Sequence, residues 1–182
     1  IKLNATYGLT GALPAVSGAN LTGLTSGITT ASQWRLVSQF SGNAQPIASN
    51  LQEAGTTGYG VLGSSMTQSS GVFTFPSTGY WYIEFTGSYY ENSDSRYAYS
   101  SIKTTTNNST YVEAAVGRCF FQETEGGYAL AQAHTSFIFD VTDTANCKVQ
   151  FWVTHSDTSV TTYAEAGGVN ATYMSFIRLG DT

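Results

Sequence analysis

The chain has 182 residues, enough for one domain with a self-sufficient core. Seven basic residues stand against twelve acidic ones, a net charge of -5 scattered mostly singly, so no basic stripe exists to neutralise a phosphate backbone and nucleic-acid binding is excluded. Charged residues make up only 10% and aromatics 14%, which predicts a neutral surface made sticky by tyrosine, and no apolar run nears the length of about 18 residues that spans a bilayer.

Residues 1–31 differ in texture from the rest. Gly11, Gly18, Gly23 and Gly27 are separated by small residues, and Leu9-Thr10-Gly11 recurs as Leu21-Thr22-Gly23. No glycine falls at every third position, which excludes collagen. Ile1 to Thr10 also lacks the charged start and apolar middle of a signal peptide. With few large side chains the segment has no core of its own. It reads as an extended stem or attachment segment, ordered by packing on copies of itself about an axis, or else as a linker.

The main domain is expected over residues 32–182. Its first strand falls in Gln33 to Phe40, with Trp34, Leu36 and Ser38 on one face and Arg35, Val37 and Gln39 on the other. Ala44 to Gly55 contains Pro46 and reads as a loop with at most an edge strand, and Tyr59 to Leu62 as a short strand. The stretch GVFTFPSTGYWYIEF, Gly71 to Phe85, is the clearest element. Pro76 cannot donate to a ladder and Gly79 supplies the freedom to leave the turn, so two strand patterns meet at a corner. After it, Trp81, Ile83 and Phe85 alternate with Tyr80, Tyr82 and Glu84. Further strands are expected at Tyr80 to Tyr90, Tyr97 to Lys103, Tyr111 to Gln122, Tyr128 to Val141, Lys148 to His155 and Ala171 to Leu179. No stripe of apolar residues has helical spacing. About eight to ten strands in this length predict an all-β sandwich of jelly-roll type, with helices nearly absent.

The spacing Gly71-x-Phe73-x-x-Pro76-x-x-Gly79-x-Trp81-x-Ile83 resembles the signature of C1q and tumour-necrosis-factor-like jelly rolls, and Tyr173 to Leu179 is similar to that family's last core strand. The resemblance covers residues 32–182 and implies a compact homotrimer. LPAVSGANLTGLTSGIT, with Trp34-Arg35-Leu36 and Ala44-Gln45-Pro46-Ile47, further resembles a subset of these domains carried on tailed-phage virions, especially fibres and appendages of marine phages. That likeness implies a virion structural protein: a short stem bearing a trimeric head, joined to other virion proteins through its N-terminal segment and engaging host-surface glycans. The alternative is a secreted C1q- or TNF-like signalling ligand. The absence of a Gly-X-Y stalk counts against it, while a Cys119–Cys147 disulfide or glycans at Asn108 or Asn170 would favour it.

Chemistry-bearing residues are sparse. His134 and His155 have no companion at metal spacing and read as polar strand residues. No Gly-x-Ser-x-Gly elbow occurs. Asp140-Val141-Thr142-Asp143 offers oxygens but no ordered calcium loop, and reads as a strand-end turn. Asn-x-Ser/Thr triplets begin at Asn4, Asn20, Asn107, Asn108 and Asn170, as chance allows in a chain rich in Ser and Thr. Cys119 and Cys147 form either a disulfide or two reduced, buried thiols; two cysteines make no disulfide framework, which favours thiols. The expectation is therefore a non-enzyme without metal or cofactor.

Sites are expected from the surplus of tyrosines and apolar groups. In the last strand both faces carry bulky residues, so one face must be covered by neighbouring chains. Tyr80, Tyr82, Met174 and Phe176 are the residues expected at a threefold interface. The segment Tyr89-Tyr90-Glu91-Asn92-Ser93-Asp94-Ser95-Arg96-Tyr97 mixes aromatic faces with short polar groups. Within it, Tyr89, Tyr90, Asn92, Asp94, Arg96 and Tyr97 are the expected ligand-binding residues.

Overall fold

The structure, a computed structural model, describes residues 27–92, 95–122 and 127–182. The expected stem lies, through residue 26, outside the described residues, as does Asp94. Within the described residues the chain forms strands and no helix. In order these are β1 (Ala31–Leu36), β2 (Phe40–Ser41), β3 (Leu51–Glu53), β4 (Thr67–Ser69), β5 (Val72–Thr74), β6 (Gly79–Glu91), β7 (Tyr97–Thr105), β8 (Val112–Phe120), β9 (Ala129–Val141), β10 (Lys148–His155), β11 (Thr161–Thr162) and β12 (Tyr173–Gly180).

They make two antiparallel sheets. In the larger one, β3, β1, β12 and β6 lie side by side, β9 runs along the far edge of β6, and β11 and β2 continue where β12 ends. The smaller sheet has the order β4-β5-β10-β7-β8. The sheets face each other across a core in which Phe73, Phe85, Phe151 and Phe176 meet, with ring centroids 5.1 to 5.8 Å apart. Such pairs add directional contacts to the area that they bury.

The Pro76–Gly79 corner carries the chain from one sheet to the other, since β5 belongs to the smaller sheet and β6 to the larger. Phe75 packs 5.3 Å from Trp81, whose indole N–H donates to the Ser77 carbonyl at 3.1 Å. Gly79 has φ +133°, and a Cβ there would strike the Gly180 carbonyl and the Arg178 guanidinium. Glycine is required by both the dihedral and the space.

Two expectations need correction. Tyr59–Leu62 is no strand: only Leu62 makes an isolated bridge, to Ala31. Met174 and Phe176 are fully buried within this chain, so they are not interface residues. Both phases of β12 are bulky, and it is the phase containing Met174 and Phe176 that meets the opposite sheet, where Phe176 contacts Phe73 and Phe151. Cys119 and Cys147 are free, buried thiols, the state that the sequence favoured over a disulfide. Cys119 pairs across from Ala98 on β7, whereas Lys148, beside Cys147, pairs across from Thr105. Seven residues of strand put the cysteines over about 20 Å apart, far beyond disulfide reach.

Candidate functional site

The outward face of the larger sheet is built from alternate residues of four strands. Its registered rows are Ala31–Ile177–Tyr82–Ile138, Gln33–Ser175–Glu84–Ser136 and Arg35–Tyr173–Thr86–His134. A sheet face turned to water ordinarily carries polar groups. Here Tyr80 is 42% exposed, Ile138 56% and Leu130 78%. Tyr80, Tyr82, Ile138 and Ile177 make an apolar zone at one end. At the other, Tyr90 sits edge-on to Tyr128 and Tyr163, each with its centroid 6.0 Å away. Between the zones lies a polar belt in which Glu84 accepts from the Tyr173 hydroxyl at 3.4 Å and lies 3.5 Å from His134.

Beside the belt, toward β1, the loops around Thr56–Tyr59 and Val169–Asn170 wall a cavity of about 660 Å³. Gln33 is its hub. Its side-chain N–H donates to Ser175 Oγ at 3.1 Å, its side-chain carbonyl accepts from Asn170 Nδ2 at 3.3 Å, and its backbone N–H donates to Tyr59 Oη at 3.1 Å. Burial holds the Tyr59 phenol above its ordinary pKa, opposed by the hydrogen bond to the Gln33 backbone. Asn170 Oδ1 is buried there without a partner among the described residues, and these amides and hydroxyls present no nucleophile paired with a base. Asn170, half-buried and bonded to Gln33, is poorly placed to accept a glycan.

The five described residues of the six expected to bind ligand do not form one site. Tyr89 is 1% exposed, its hydroxyl 2.5 Å from Ser100 Oγ, because β6 runs on to Glu91 and strand alternation turns Tyr89 inward. Tyr90 faces outward on the larger sheet, whereas Tyr97 belongs to the smaller sheet and stacks on Tyr99. Asn92 and Arg96 are exposed. Tyr80 and Tyr82 do share the outward face, with Ile138 opposite Tyr82. Ile138 and Leu130 escaped sequence reasoning, although the alternation of ALAQAHTSFIFDV, with small or aromatic residues in one phase, sets both in the solvent phase.

The two histidines sit in different settings. His134 is exposed and contacts Thr86 Oγ1 at 3.1 Å. His155 packs at right angles to Tyr89, and burial pushes its pKa down to about 4, with the Gly42 carbonyl and Glu91 pulling weakly the other way. Asp143 closes a turn by accepting from Ala145 N and Asn146 Nδ2. Among the described residues no three His, Cys, Asp or Glu side chains are grouped to hold a metal ion.

No family model matches the chain, and no curated protein matches it in sequence. Solved structures do match its fold. Eiger TNF from S. frugiperda superposes with a TM-score of 0.60 over 85% of this chain and 95% of its own, at 11% identity. Murine APRIL, in crystals at pH 8.5 and pH 5.0, superposes with a TM-score of 0.55 over 82% of this chain and 98% of its own, at 9% identity. The chain is therefore an all-β, TNF-like jelly roll, and at these identities the likeness speaks to fold alone.

Proposed function

We propose that this chain is a non-enzymatic display and recognition module, three copies of which associate through the outward face of the larger sheet to form a compact head. One observation carries the reading: Tyr80, Leu130 and Ile138 stand exposed on a single sheet face that has few charges. Each apolar side chain removed from water there contributes about 25 cal/mol per Å² of area buried. A face repeated around a closed axis leaves no sticky surface for open-ended assembly. The resemblance of the Gly71–Ile83 spacing to C1q- and TNF-like heads supports the number three, and that of residues 13–29 to virion stems supports attachment of the head to a phage fibre or appendage. Rigid display of three identical surfaces lets weak contacts with repeated host-surface glycans add through effective concentration.

A secreted signalling ligand of the same fold is the second reading, favoured by the likeness to Eiger TNF over most of the chain. The two separated free thiols weigh toward assembly in a reducing compartment. Light scattering on the full chain tests what both readings share, with three copies expected and a monomer at micromolar concentration overturning both. Antibody against the chain separates them. Labelled virions support display, and a glycosylated protein free in the medium supports signalling.

A further inference from the structure

The outward face of the smaller sheet has a different chemistry. There β7 raises Tyr97, Tyr99 and Lys103, β10 raises Trp152, and β8 raises Arg118 at the register of Tyr99. Tyr97 and Tyr99 stack with centroids 4.7 Å apart and planes 21° apart. The Arg118 guanidinium lies 4.9 Å from the Tyr99 ring, and Lys103 Nζ lies 4.1 Å over the Trp152 ring.

Neither cation forms an ion pair among the described residues, although Glu113 stands opposite Lys103 in the strand register. Among the described residues the ion pairs are His134–Glu84 and Arg178–Asp181, although the chain carries twelve acidic residues. A cation–π contact fixes where the charge sits and leaves its N–H donors open. A protein of net charge -5 therefore presents, on one face, two cations held in place by rings and in no ion pair with a described residue. Trp152 stands opposite Ser101, two residues from Tyr99, so the rings that hold the two charges are offset by roughly 7 Å along the strand direction. Aromatic faces flank both.

We propose that this stripe binds an acidic saccharide. Carboxylate or sulfate groups on the sugar engage Arg118 and Lys103, and the apolar faces of the pyranose rings lie against Tyr97 and Trp152. The guanidinium suits the two oxygens of a carboxylate or sulfate, and aromatic rings suit the C–H faces of a sugar. Two cations fall short of the run of phosphate contacts that drives nucleic-acid binding. The inference deepens the recognition half of the proposed function but does not depend on association, because all five residues belong to one chain.

The test immobilises polygalacturonate, dextran sulfate, neutral dextran and single-stranded DNA, and passes the full chain over each at low salt. Expected are retention on polygalacturonate, dextran sulfate or both, the two arms distinguishing carboxylate from sulfate, and none on neutral dextran. Retention falls about tenfold in Arg118→Ala and in Lys103→Ala, recovers only partly in Arg118→Lys, and weakens as salt screens the charges. Light scattering on each variant shows the parent's mass. The proposal is overturned if neither anionic polymer is retained, if neutral dextran or DNA is held as firmly, or if both alanine variants bind like the parent. A monomer that still binds through Arg118 and Lys103 would sink three-copy association and leave the stripe standing.

Discussion

The hydroxyls of Tyr89 and Ser100 lie 2.5 Å apart in the middle of the sandwich, one from each sheet. Ser100 Oγ donates on to the Ala133 carbonyl at 3.1 Å and so accepts from Tyr89, whose alternative acceptor is the Tyr99 carbonyl at 3.3 Å, and the pair ties β6, β7 and β9 together. Burial pushes the Tyr89 phenol far above its ordinary pKa, which keeps it protonated and able to donate. Tyr89→Phe is expected to lose about 1 kcal/mol, because Ser100 keeps its second partner, and Tyr89→Ala about 3–5 kcal/mol. Urea unfolding measures both, and a Phe variant as stable as the parent would show that the bond adds nothing net.

Gly79→Ala is expected to destabilise by about 2 kcal/mol or more, through a positive φ and the clash with Gly180 and Arg178. Arg178 is itself anchored there, its Nε donating to the Thr78 carbonyl at 2.8 Å, so the corner cannot open without releasing the end of β12. Thermal unfolding checks this, and a variant melting at the parent's temperature would refute it.

The corner was legible because Pro76 and Gly79 constrain the backbone locally, and so was β6, where only the phase of Trp81, Ile83 and Phe85 is uniformly apolar. The last strand was not. In YMSFIRL both phases carry bulk, and the choice between them is made by Phe73 and Phe151, about a hundred and about twenty-five residues away in sequence. The end of β6 was hidden for the opposite reason. Glu91 looks like a loop residue, yet it is 1% exposed and accepts from Ser159 Oγ at 3.1 Å, a partner supplied only by the fold. The two-residue strands β2 and β11 are too short for any periodicity to show. Nor does sequence reveal the cation–aromatic stripe, whose rings and charges come from three strands brought side by side.

Both thiols are expected to resist modification in the folded protein. Burial raises the Cys119 pKa to about 11, only partly offset by hydrogen bonding with the Ala98 backbone, so little thiolate forms at pH 8. A chromogenic disulfide reagent should react with both cysteines only after denaturation, and reductant should leave the melting temperature unchanged. Prompt reaction of the native protein would contradict the burial.

His155 gives stability a pH dependence of definite sign. Its folded pKa, about 4, lies below the unfolded value near 6.5, so the folded state favours the neutral imidazole. The contribution is whole above about pH 6.5 and is lost as pH falls toward 4, because the unfolded chain takes up the proton first. The loss is at most about 3 kcal/mol. Asp143 and Asp157, both held below the usual carboxylate range by hydrogen bonds, lose their contributions only at lower pH. Urea midpoints at pH 7.5 and pH 5 should therefore differ in the parent, and His155→Gln should narrow the difference. An equal difference in that variant would assign the effect elsewhere.

Ile138→Glu separates association from folding. On the isolated chain Ile138 is more than half exposed, opposite Tyr82 on the outward face, so a carboxylate there meets water and should change stability by no more than about 0.5 kcal/mol. Within a closed interface between copies the same carboxylate would be buried without a partner, at a penalty of several kcal/mol per copy. Val112→Glu supplies the control, since Val112 is 60% exposed but lies on β8 of the smaller sheet. Light scattering should show Ile138→Glu as a monomer and Val112→Glu as the parent assembly, with similar unfolding at high dilution. If Ile138→Glu associates like the parent, the outward face of the larger sheet is not where copies meet.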